Sequence, residues 1–255
     1  MIRARRLLAL ALALGLAACG RGAGLDGLAA GEQGRVADVR SGDALVLDSG
    51  LQVRLAGVEA PKGDQPYAAE ALKALQTLAD GHRVQLYYGG ARRDRYGRAL
   101  AQVKLLQGGR WIQEALLRQG AVRARTWPDN RALAAPLLEA EAHARNRSLG
   151  LWTLPAYRVL LPGEASGAGG FEIVEARVRS LGTGPSGAPR LELTSRPGVG
   201  LAAEVAPEAL KDFTAAGKAP EALRGRHLRL RGYVRFGPVL VLDHPEQIEL
   251  LKEED

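Results

Sequence analysis

The chain has 255 residues, 46% of them hydrophobic, and a formal net charge of +7 at pH 7. That composition supports ordinary apolar cores, and the length fits two domains of usual size once leader and connecting segments are set aside. The single cysteine, Cys19, excludes an intramolecular disulfide.

Residues 1–19 read MIRARRLLALALALGLAAC, a basic start followed by an apolar run. The run is too short and too early for a spanning helix and reads as a secretory leader. Its end, Leu16-Ala17-Ala18-Cys19, resembles the bacterial lipoprotein signal, in which the cysteine becomes the acylated amino terminus. An ordinary secretory signal with a chance cysteine is the plainer alternative. The lipoprotein reading implies a membrane partner through Cys19. It implies a location in the cell envelope, and Gly20 after the cysteine directs the chain to the outer membrane, facing the periplasm. Residues 20–33 are rich in Gly and Ala without a period and read as a flexible tether.

Residues 40–62, RSGDALVLDSGLQVRLAGVEAPK, hold the densest chemistry. Asp43 follows a Ser-Gly turn. Two alternating strands follow, the second carrying Arg54 and ending at Glu59-Ala60-Pro61. Further on, residues 94–98 read DRYGR and supply Arg98. Carboxylates suit a hard cation, and arginine forks match phosphate oxygens. Helical spacing predicts helices over residues 66–80, 111–119 and 136–147, and alternation predicts strands over 82–88 and 100–106. Asp94 reads as the residue that holds its turn. His82 and His143 have no partner at metal-ligand spacing.

The segments SGDALVL, VRLAGVEAP, QPYAAEA, DRYGRALAQV, ALLRQGAVRA and SLGLW occur in an order and spacing that resemble the staphylococcal nuclease (thermonuclease) family over residues 34–160. The resemblance implies a mainly β fold with helices: a five-stranded oligonucleotide-binding-type barrel and Ca²⁺-dependent hydrolysis of phosphodiesters in single-stranded DNA or RNA. Asp43 stands at the family's first calcium-binding aspartate, and Arg54 and Arg98 at its two phosphate-binding arginines. Glu59 replaces the second calcium-binding aspartate. Ala60 replaces a threonine that ligates through its backbone carbonyl. Lys62 replaces the glutamate that activates or positions the attacking water, and a lysine neither takes that proton readily at neutral pH nor attracts Ca²⁺. Asp64 could serve instead if its loop bends back. Trp127 falls where the family has a base-side tyrosine loop and either lines the groove or caps the third helix. Tyr88 and Tyr87 are candidates for base stacking, although one of two neighbouring strand residues must point inward.

Residues 161–170 read as a linker. Residues 171–252 follow the order β-β-β-α-β-β, that of a second, smaller oligonucleotide-binding-type barrel. The charge divides between the two parts. Residues 35–158 hold 19 basic and 12 acidic residues, a net of +7, and residues 161–255 hold 12 and 14, a net of −2. The basic excess of the first part favours polyanions, with arginine-rich coding bias as the bland explanation. On the strand over 226–236, His227, Arg229, Arg231, Tyr233 and Arg235 share one face, which suits a nucleic-acid groove or, more plainly, a solvated strand face. Two functions follow. One is an envelope-anchored, thermonuclease-like phosphodiesterase with catalysis weakened or lost at Lys62. The other is a nuclease-derived module that binds nucleic acid or protein without cutting.

Overall fold

The computed structural model describes residues 24–167, 169–194, 200–235 and 237–252. In chain order, β1 (Ala29–Ser41), β2 (Ala44–Leu47) and β3 (Gln52–Leu55) form an antiparallel meander. The short β4 (Val58–Glu59), α1 (Ala68–Ala79), β5 (Arg83–Tyr88) and β6 (Ala99–Leu105) follow. β6 returns parallel to β3, and β5 pairs β1, so the five strands close as β1-β2-β3-β6-β5. Alternation sends Leu45, Leu47, Val53, Leu55, Val84, Leu86 and Val103 into one apolar cluster. Ala71, Leu75 and Ala79 lie four apart on α1 and are fully buried against the barrel. α2 (Ile112–Arg118) and α3 (Ala134–Asn146) pack beside it. Between them, β7 (Arg123–Ala124) pairs β4 and brings the 123–127 segment alongside Glu59.

The C-terminal part begins with the single-turn α4 (Pro162–Ala165). β8 (Gly170–Arg177) and β9 (Ser180–Thr183) then run almost end to end. β10 (Pro189–Glu192), β11 (Ala202–Val205), α5 (Leu210–Ala215), β12 (His227–Arg235), β13 (Val239–Leu242) and β14 (Ile248–Leu250) complete it. β9 pairs β10, β10 pairs β11, β13 runs parallel to β11, and β12 joins β13 to β8. With β8 and β9 counted as one interrupted strand and the terminal β14, which pairs β12, set aside, this order repeats that of the first barrel: three antiparallel strands, a helix, and two strands of which the second lies parallel to the third. Phe213 of α5 is fully buried and plugs this second core.

Three expectations change. Of the segment expected to be a tether, residues 25–27 form a single 3₁₀ turn and residues 29–33 are already β1, paired to β5 through Ala29–Tyr88, Ala30–Tyr87 and Gln33–Gln85. Gly31 is needed there because any side chain would run into the Tyr88 ring. Backbone hydrogen bonds hold this stretch, so it carries no side-chain period. The expected linker is packed as well. Ala165 is buried in the second core and Leu160 bridges Val174. Arg158 and Glu164 make a paired hydrogen bond across it.

The third change concerns the basic face of β12, which is neither an open groove nor a solvated face along its whole length. Arg231 is 2% exposed and reaches across to α3. Its guanidinium donates to the Ala124 carbonyl at 3.1 Å and to Glu141 at 2.9 Å, and it also pairs with Glu249 on β14. Tyr157 and Trp152 of the first part share an apolar cluster with Phe171 and Ile173 of the second. The two parts are therefore joined by a common core and a buried ion-pair strut.

Candidate functional site

Asp43 is fully buried at the β1–β2 turn. Gly42 allows this placement, because a Cβ there would stand 2.7 Å from Ala71 Cβ and 2.8 Å from Ala60 Cβ. The Ser41 hydroxyl donates to Asp43 Oδ1 at 2.8 Å, and the Ala60 N–H donates to Oδ2 at 2.9 Å. Arg54, whose position on β3 registers with Ala44, brings Nη2 to 3.0 Å from the same Oδ2. Lys62 Nζ stands 3.5 Å from it. Burial pushes the Asp43 carboxyl up, but the Arg54 and Lys62 charges and the two hydrogen bonds outweigh it and hold the group below the usual range. Burial likewise lowers Arg54 against the pull of Asp43 and Glu59, and a guanidinium so placed stays charged.

Glu59 sits across the β4–β7 ribbon from Arg123. Its Oε2 lies 2.8 Å from Arg125 Nη1, a close charge contact whose alignment does not make a hydrogen bond. Its Oε1 accepts from the Tyr233 hydroxyl at 3.4 Å, and that same hydroxyl accepts from Arg125 at 2.9 Å. Tyr233 belongs to β12, so the C-terminal part contributes directly to this site. The Arg125 guanidinium lies 3.9 Å from the Trp127 ring centre and 4.5 Å from that of Tyr233, stacked on both.

Arg98 is held by its own turn. Asp94 accepts from the backbone N–H of Tyr96 and of Arg98, and its other oxygen takes Arg98 Nε at 2.7 Å. Arg54, Lys62 and Arg98 then line one cavity of about 650 Å³, whose far wall carries Arg125, Trp127 and Tyr233. Several cations around a concave surface suit an anionic oxygen cluster.

The nuclease family that the sequence resembles is generally Ca²⁺-dependent, and the donor set here does not fit that ion. Ca²⁺ takes about 6–8 oxygen ligands. Asp43 already shares its oxygens among Ser41, Ala60, Arg54 and Lys62. Glu59 faces Arg125. Among the described residues no three of the His, Cys, Asp or Glu type gather as a metal cluster. Asp43 and Glu59, expected to hold a cation, each have a protein cation against them in this structure. Ala60, expected to ligate through its carbonyl, donates its N–H to Asp43 Oδ2.

Tyr88 is also corrected. It is 5% exposed, donates to Glu32 at 2.5 Å and belongs to the barrel core, so it cannot stack on a base. Asp64 is exposed and lies outside the cavity wall. Trp127 does line the cavity and is 41% exposed. Cys19 lies outside the described residues. Sequence reasoning missed Arg125 and the reach of Tyr233. The Arg-Ala-Arg run over 123–125 was a signal for the first, since alternation along an extended stretch sets residues two apart on one side. Nothing local pointed to the second.

The geometry is that of a closed five-stranded barrel with an acid, two arginines and a cationic cavity at one end. Residues 52–154 match the family described as staphylococcal nuclease homologue, and the chain belongs to it. It is similar to the thermonuclease of Staphylococcus intermedius, 31% identical over 131 residues, which cover 48% of this chain and 77% of that protein. It is similar to an uncharacterized endonuclease of Escherichia coli O157:H7, 32% identical over 130 residues, covering 49% of this chain and 80% of that protein. It is also similar to the SPbeta prophage-derived endonuclease YokF of Bacillus subtilis, 34% identical over 95 residues, covering 36% and 31%. The family match holds Arg54, Glu59, Lys62, Arg98 and Trp127, and it ends before the C-terminal part that supplies Tyr233.

Proposed function

We propose that this protein binds nucleic-acid phosphodiesters in the cavity of Arg54, Lys62 and Arg98 and has lost the family's calcium-dependent cleavage. The observation that carries this reading is the Lys62 ammonium 3.5 Å from Asp43 Oδ2, a protein cation beside the carboxylate on which a metal would depend. Arg125 against Glu59 repeats the pattern at the second carboxylate. Lysine adds phosphate affinity where a base is missing, and general-base loss alone costs about 10²–10⁴-fold in rate.

The test is to measure binding and cleavage of single-stranded DNA by the purified protein with Ca²⁺ and with chelator. The expected result is salt-sensitive binding that Ca²⁺ does not strengthen, without cleavage. Calcium-dependent cleavage would overturn it in favour of hydrolysis. One observation favours that second reading: the Lys62 side chain is half exposed and free to swing away from Asp43.

In the same proposal, a lipid at Cys19 anchors the protein in the cell envelope, a reading supported by the form of the leader. Fatty-acid labelling that is lost in Cys19→Ser supports this anchor, and a mature, unlipidated chain would refute it.

A further inference from the structure

The cavity of Arg54, Lys62 and Arg98 does not end at Tyr233. A second cavity, about 440 Å³, opens on the β12–β13 side of that residue. Arg95, Arg125, Trp127 and Tyr233 belong to the walls of both. The second cavity adds Arg235 of β12. Trp127 and Tyr233 are 41% and 43% exposed, among the few large hydrophobic side chains left so open. Arg125, stacked on both rings, holds them as a fixed pair. Arg95 and Arg235 are exposed and have no acidic partner among the described residues.

We infer that the two cavities form one groove for a single-stranded polynucleotide, crossing from the nuclease-family barrel onto the C-terminal sheet. This rests on the phosphate-binding reading of the first cavity. Phosphates lie against Arg54, Arg98 and Lys62 at one end and against Arg95 and Arg235 at the other. Bases stack on Trp127 and Tyr233 between them. Stacking on exposed aromatics inside a cationic channel is how single strands are held without sequence preference. A duplex keeps its bases stacked on each other and has none to offer. An acidic peptide would satisfy the arginines but leave both rings without a flat partner.

The experiment compares oligothymidylates of 2 and 12 nucleotides, by fluorescence anisotropy, on the full-length protein and on Arg95→Glu and Arg235→Glu. Lys211→Glu makes the same charge change outside both cavity walls. In the parent the 12-mer should bind at least ~10-fold tighter than the 2-mer, since groove sites of this kind take about 4–16 nucleotides. Arg95→Glu and Arg235→Glu should each cut that ratio several-fold and reduce the salt slope by about 0.7 for each phosphate no longer held. Lys211→Glu should leave the ratio unchanged. A 12-mer no tighter than the 2-mer, with ratios unmoved by Arg235→Glu, would overturn the groove and leave the first cavity's phosphate binding intact. Equal competition by duplex DNA or by inorganic polyphosphate would overturn base stacking. Failure of every oligonucleotide to bind would refute the phosphate-binding reading and the groove with it.

Discussion

Lys62 Nζ and Asp43 Oδ2 stand 3.5 Å apart, on an oxygen that also takes the Ala60 N–H and an Arg54 nitrogen. The chain has thus set a lysine against the acid on which the proposed loss of metal-dependent cleavage turns. Replacing that lysine by a carboxylate changes the sign of the charge at the mouth of Asp43 while leaving the buried Arg54 pair in place.

Lys62→Glu is therefore expected to create Ca²⁺-dependent cleavage that the parent, on the proposed reading, lacks. The gain should reach about 10²-fold over background, the lower range for a positioned general base. Arg98→Ala made in the Lys62→Glu background should abolish it, because one side of the phosphate would lose its cation. Comparing initial rates of the three proteins at one Ca²⁺ concentration checks this. A Lys62→Glu protein as inert as the parent would show that Arg125 on Glu59 also blocks the site.

Asp43 should make stability depend on pH in one direction. Its folded pKa lies below the ordinary carboxylate value of about 3.9. Its contribution is then fully present above that unfolded value and is lost as pH falls through the folded one. Asp43→Asn leaves Arg54 buried without its direct ion-pair partner, which typically costs about 3–5 kcal/mol. Urea unfolding should show that deficit at pH 7 and a smaller one at pH 3. An equal deficit at both values would mean that the loss is one of shape, not charge.

Arg231 ties the two parts through Glu141 and the Ala124 carbonyl, while Glu249 of its own part braces it. Arg231→Ala strands buried Glu141 with Arg145 as its remaining cation. It is expected to cost about 3–5 kcal/mol and to loosen the hold of Tyr233 on Glu59. Calorimetry should then resolve two unfolding transitions in place of one. A single transition at an unchanged midpoint would show that the apolar cluster of Tyr157, Trp152, Phe171 and Ile173 suffices to couple them.

Much of the molecule was legible because its signals are local. Alternation predicted most strands of both parts but not the short β4, β7 and β9, and β5, β6, α1, α2 and α3 fall within a few residues of their expected spans. The order of strands and helices, the turn that bears Asp43 and the arginine turn over residues 94–98 were all readable. So was Asp94 as the residue that braces that turn, since its side chain needs only neighbours in sequence.

What the tertiary structure decided is who neutralises whom. Lys62 was visible as a substitution, but its pairing with Asp43 depends on a turn and a loop meeting under α1. Tyr88 and Tyr87 looked alike as neighbours on one strand, and only closure of the barrel buried Tyr88 against Glu32. The face of β12 read as a solvated or ligand-binding stripe because a strand's alternation says which residues share a side, not what that side meets. Arg231 and Tyr233 meet residues about a hundred positions or more earlier in the chain. Charge pairing at such separation follows from the packing of two cores, and no window of sequence contains both partners.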